Sequence, residues 1–156
     1  VYTPLVDLRS SVSSVPPTIQ ATPPQYTPPA SQKTKEQWIN EGNTAYDADR
    51  YEEAIAAYGH AIILDSKDAW TYARRGDTFR LLKDYQRAIQ DFSRAIELNP
   101  KYAWAYGSRG QAYSSLKQYQ QAIEDFDRAL ELDSNLDWVK VERVKAKAYR
   151  LFKKQP

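Results

Sequence analysis

Cysteine and methionine are both absent from this sequence, and histidine occurs once, at His60. Without thiols there are no disulfides and no thiolate metal sites. A single imidazole with no cluster of carboxylates supplies neither a ligand set nor an acid–base pair, so His60 is expected to serve packing or the surface. No run of eighteen apolar residues occurs, which leaves no membrane-spanning helix. Charge of one sign is missing too: 22 basic against 20 acidic residues leave +2, too little by itself to point to nucleic acid. Neither a glycine-rich phosphate loop nor a nucleophile motif is present. Glu52-Glu53 and Glu124-Asp125 have basic neighbours at helical spacing and read as surface acids, not as a dyad. A non-enzyme is therefore expected, with no catalytic residue, cofactor or metal. The chain opens on Val1 without initiator Met, basic leader or apolar signal stretch. It reads as a fragment or processed form, cytoplasmic by expectation.

Proline is nearly absent as well, outside one segment. Pro4, Pro16, Pro17, Pro23, Pro24, Pro28 and Pro29 all precede residue 33. Proline fixes φ and removes a backbone donor, so residues 1–33 are expected to be an extended tail or linker, partly polyproline II. After Ser31 the composition turns to Ala, Tyr, Leu, Glu, Lys and Arg, which places a helical domain at 34–156.

What that domain contains is a repeat. Shifting the chain so that Ala69 falls on Ala103 aligns 69–102 with 103–136 at seventeen identical positions without a gap, and 35–68 follows more loosely in the same register. Apolar residues recur at helical spacing in first runs over 35–47, 69–82 and 103–116, and in second runs over 51–64, 85–98 and 119–132. The short breaks between runs fit antiparallel helix hairpins. Thr34 with Gln37 reads as a capping box. Gly42, Gly76 and Gly110 recur in the first helix; Ala54, Ala88 and Ala122, then Ala61, Ala95 and Ala129, recur in the second. Bulky Tyr58, Phe92 and Phe126 stand between them, so small residues face large ones where helices cross.

This pattern resembles the tetratricopeptide repeat over 35 to about 152. The resemblance implies an all-α, right-handed superhelical solenoid of three antiparallel hairpins (35–68, 69–102 and 103–136). A capping helix over 137–152 is expected to pack through Val141, Val144, Ala148 and Leu151. It also implies a scaffold that binds an extended peptide or protein segment in a concave groove lined by the first helices. Carried over position by position, the groove residues are Asn40, Asn43, Tyr46, Trp70, Arg74, Asp77, Trp104, Ser108, Gln111 and Trp138, with Ala73, Arg80, Gly107, Val141 and Lys145 at equivalent places. Trp70, Trp104 and Trp138 form a ladder suited to proline rings, extended peptides or arginine stacking, unless each indole packs on the neighbouring repeat. Trp38, two positions further along its repeat, is expected in the core. The family's clamp for chaperone C-terminal carboxylates falls on Ile39, Asn43, Arg74, Trp104 and Ser108; only Asn43 matches, which disfavours a chaperone-tail partner.

The family usually has an aliphatic residue before the repeated glycine. Here stand Glu41, Arg75 and Arg109, and sixteen residues later Ala57, Asp91 and Asp125. Arginine and aspartate thus occur together, as interhelix ion pairs or as solvated charges nearer to Arg94 and Arg128. The proline-rich tail is a candidate ligand of the groove, in cis or between copies, or else a spacer. A different class of function, binding to nucleic acid or an anionic surface, would use the basic run from Lys140 to Lys154. That charge is local and not continuous along the groove.

Overall fold

The computed structural model describes residues 33–152; the proline-rich segment, with its expected docking or spacer role, lies outside the described residues. Among the described residues the chain is wholly helical: α1 (Lys35–Asp47), α2 (Tyr51–Leu64), α3 (Ala69–Leu81), α4 (Tyr85–Leu98), α5 (Ala103–Ser115), α6 (Tyr119–Leu132) and α7 (Asp137–Phe152). None of these helices is long and apolar enough to cross a membrane. Each helix packs on the next in sequence. In addition α3 touches α5 and α5 touches α7, which draws the first helices of successive hairpins together along one side of the stack.

Local chemistry fixes the ends. Thr34 Oγ1 accepts from the Gln37 amide while Gln37 Oε1 accepts from the Thr34 amide, closing the capping box that opens α1. Asp68 accepts from the Trp70 and Thr71 amides at the start of α3, and Asp84 caps α4 through the Arg87 amide. Each hairpin turns by the same device. Asp49, Lys83 and Lys117 take positive φ (55, 62 and 59). The next amide then donates to the carbonyl five residues back: Arg50 to Ala45, Asp84 to Phe79 and Gln118 to Tyr113, each at 2.9 Å.

The core is a row of one motif. Tyr58, Phe92 and Phe126 are fully buried, as are Ala54, Ala88 and Ala122 beside them. The glycines make room for the rings. A Cβ at Gly42 would lie 2.6 Å from Tyr58 Cε1, and one at Gly110 2.7 Å from Phe126 Cε1. Burying each such ring contributes roughly 1.5–3 kcal/mol.

The arginines beside those glycines bridge the hairpins. Arg75 donates from Nε and Nη2 to the two carboxylate oxygens of Asp91 at 2.7 and 2.8 Å; Arg109 does the same to Asp125 at 2.8 and 2.8 Å. Arg109 Nη1 also reaches back to Ser93 Oγ on the preceding hairpin, at 2.9 Å. Arg94 and Arg128, the nearer candidates in sequence, pair instead with Glu97 and Glu131. The hydrogen bonds to Asp91 hold the Arg75 guanidinium above its ordinary range despite burial.

Two expectations are corrected. Val141, Val144 and Leu151 are 53%, 63% and 62% exposed, whereas α7 is buried through Val139 and Ala146. The seat that rotates α7 this way is Gly107: a Cβ there would meet Trp138 Cη2 at 2.6 Å and Val139 Cγ2 at 2.9 Å. Nor is Trp38 a core residue. It is half-buried, stacked on the exposed His60 ring at 4.2 Å, with Lys33 Nζ 4.3 Å above its ring.

Candidate peptide groove

The first helices carry the candidate groove residues. Ser108 and Gln111 project one turn apart on α5, Asp77 and Arg80 one turn apart on α3. With Trp104 and Trp138 these four line an open pocket of about 240 Å³. Two half-buried indoles form its apolar surface, while Gln111 and the nearly buried Ser108 supply donors and acceptors. Such a mixture suits a short apolar or ring-bearing side chain flanked by peptide groups.

Asp77 anchors the polar end. It is 3% exposed and accepts from three directions: Tyr46 Oη at 2.6 Å, and Arg80 Nε and Nη2 at 2.9 and 2.6 Å. Burial first, and then the hydrogen bond to this carboxylate, pushes the Tyr46 phenol well above its ordinary range. Arg74 lies over the Tyr46 ring, 4.3 Å from its centroid, and 5.6 Å from the centroid of Trp70. Its Nε has no hydrogen-bond partner among the described residues. Tyr46, Trp70, Arg74, Asp77 and Arg80 are thereby one connected cluster leading from α1 into the pocket.

Of the sequence-predicted groove residues, Asp77, Trp104, Ser108, Gln111 and Trp138 come together at this pocket, and Tyr46, Trp70 and Arg74 adjoin it. Asn40 is exposed on α1 and is not brought to it. Asn43 is engaged within its own hairpin, where its Oδ1 accepts from Tyr58 Oη at 2.7 Å. Ala73 and Gly107, at equivalent repeat positions, are buried between hairpins and offer nothing to a ligand. The tryptophan ladder is graded. Trp138 sits on Gly107, Trp104 packs edge-on to Phe92 at 6.0 Å, and Trp70 is the most open at 39% exposed. The link from Tyr46 to Asp77 is what the sequence reading missed. Its one signal was a separation along the chain equal to that between Gly107 and Trp138.

A tetratricopeptide repeat profile matches residues 69–102 and 103–136. The tetratricopeptide domain of Arabidopsis OM64 is 32% identical over 74% of this chain and 96% of its own, with a TM-score of 0.73. The chain belongs to the tetratricopeptide repeat family. Other tetratricopeptide domains align over a similar extent. The second domain of human RPAP3, solved with the HSP70 peptide SGPTIEEVD, is 29% identical over 70% of this chain and 92% of its own, at a TM-score of 0.69. The TPR2B domain of yeast Sti1, in complex with an Hsp70 peptide, is 26% identical over 73% and 96%, at 0.70. No curated protein sequence matches the chain. As a tetratricopeptide domain, it is a scaffold for protein–protein interaction.

Proposed function

We propose that the groove along α1, α3, α5 and α7 binds an extended peptide segment of a partner protein, anchored in the pocket between Trp104 and Trp138. The carrying observation is that pocket: two indoles, a glutamine and a serine converge on about 240 Å³ beside a fixed Asp77–Arg80 pair. Because the first helices are held by packed hairpins, the groove is preformed and little ordering opposes binding. The indole faces favour proline or aromatic side chains, and the amide and hydroxyl groups orient the ligand backbone.

Chaperone-tail peptides, which the human and yeast relatives carry, fit these side chains less well. At the corresponding places Ile39 and Trp104 are apolar, Asn43 is occupied by Tyr58, Ser108 is uncharged, and Arg74 lies over the Tyr46 ring. The protein's own proline-rich segment is a ligand of suitable chemistry, in cis or between copies. Binding of nucleic acid or a broad anionic surface is less favoured, since the basic charge of α7 is local and not continuous along the groove.

The test is a titration of residues 33–156 with a peptide of residues 12–31, following tryptophan emission, against SGPTIEEVD as comparator. Saturable binding of the proline-rich peptide, at least tenfold tighter than SGPTIEEVD and lost on Trp104→Ala, is expected. Tighter binding of SGPTIEEVD would reverse the assignment of ligand class. Binding of either peptide unaffected by W104A would remove the pocket from the site.

A further inference from the structure

Helix α7 occupies the register of a first helix, and its arginine is half-served. Arg143 follows Arg109 by one full repeat, as Arg109 follows Arg75. Like Arg109, it reaches back sixteen residues to the preceding hairpin, with Nη1 2.9 Å from Asp127 Oδ1. In Arg75 and Arg109, Nε and Nη2 grip the aspartate of the helix that follows. Among the described residues no aspartate fills that position for Arg143, and its buried Nε has no hydrogen-bond partner.

The surface around it is apolar and basic. Val141, Val144, Ala148 and Leu151 recur at helical spacing on the side opposite the buried Val139 and Ala146. Apolar stripes on both sides are the pattern of a helix packed between two neighbours. A concavity of about 320 Å³ lies among Lys140, Val141, Val144 and Lys145. Lys140, Arg143, Lys145 and Lys147 flank the stripe, so a second copy docked through the same face would set these cations against their own kind.

We propose that this outer face of α7 docks an acidic amphipathic helix from a partner protein, placed as the second helix of a further hairpin. Its register follows from the neighbouring hairpins. Opposite Arg75-Gly76 and Arg109-Gly110 stand Asp91-Phe92 and Asp125-Phe126. At Gly110 a Cβ would already come within 2.7 Å of the Phe126 ring, so Val144 in the glycine's place excludes a large ring. The docked helix therefore carries an acidic residue for Arg143 followed directly by a small residue over Val144.

The experiment titrates the full chain with a fluorescein-labelled peptide of sequence 119–132 carrying Phe126→Ala, followed by anisotropy. Expected are saturable binding, at least tenfold weakening by Asp125→Asn in the peptide, and a similar loss on Val144→Glu in the protein. Val144 is exposed, so that variant keeps the fold, checked by its helical circular dichroism. Arg143→Gln should repeat the loss. Equal affinity for the D125N peptide, tighter binding of the unaltered Phe126 peptide, or no binding would overturn the proposal. So would a concentration-dependent dimer abolished by V144E, which would assign the face to a second copy.

Discussion

Arg75 and Asp91 show how one substitution pattern is made good by another. An arginine beside the packing glycine is tolerated because a carboxylate sixteen residues on takes both of its inner donors. Asp91 is 6% exposed, so deleting Arg75 leaves a buried, uncompensated charge. Arg75→Ala should destabilise the domain by about 3 kcal/mol. The double variant with Asp91→Ala should recover part of that loss, giving a coupling of about 2 kcal/mol in a denaturant double-mutant cycle. A coupling near zero would mean that the pair is incidental. The co-occurrence of arginine and aspartate was legible in the sequence, but the choice between Arg75 and the closer Arg94 as the partner of Asp91 was not. Arg94 lies on the exposed side of α4 and reaches Glu97.

Tyr46 gives the candidate groove a pH signature. Its folded phenol is held above the ordinary range, by burial and then by Asp77. The protonated form is therefore the one the fold stabilises. That contribution is fully present below the unfolded tyrosine value of about 10 and is lost as pH rises through the higher folded value. Tyr46→Phe should flatten the alkaline decline of stability. It should also cost about 1.5–3 kcal/mol at neutral pH, because buried Asp77 loses one of its donors. An unchanged alkaline limb in Y46F would contradict the role given to this hydrogen bond.

Among the elements, the helices themselves were the most legible, since the repeat period and helical spacing reinforce each other in three units. Leu82 and Leu116 end up as C-caps beyond α3 and α5, a one-residue difference from the periodic runs. The rotation of α7 was not legible. Its sequence offers two apolar stripes, and choosing between them depends on a contact nearly a full repeat away, the seating of Trp138 and Val139 on Gly107. At the same spacing stand Ala73 for Trp104 and Ile39 for Trp70, so the seat is progressively filled and the ladder opens toward Trp70. Gly107→Ala should thus act on an element. The added methyl displaces Trp138 and loosens α7, costing about 1–3 kcal/mol. Limited proteolysis should then cut within α7 before the hairpins, and cleavage elsewhere first would contradict the seating.

Across the whole stack, every hairpin relies on its neighbour, because no single pair of helices buries both of its faces. The same dependence builds the candidate groove: Tyr46 on α1 holds Asp77 on α3, Asp77 holds Arg80, and Trp138 on α7 lines the pocket with Trp104 on α5. The ten residues assigned by repeat position therefore divide by what packing leaves open. Asn43 is used internally and Asn40 stands apart, whereas Asp77, Trp104, Ser108, Gln111 and Trp138 converge. Repeat position alone gives the side of a helix a residue occupies, but not whether a neighbour such as Tyr58 has already claimed it. The chain has four tryptophans and hence four indole N–H signals to follow by two-dimensional NMR while the peptide of residues 12–31 is added to residues 33–156. The Trp104 and Trp138 signals should shift together in a saturable manner, Trp70 less, and Trp38, stacked on His60, not at all. A shift confined to Trp38 or Trp70, or no shift at millimolar peptide, would show that the pocket between α5 and α7 is not where this scaffold holds its ligand.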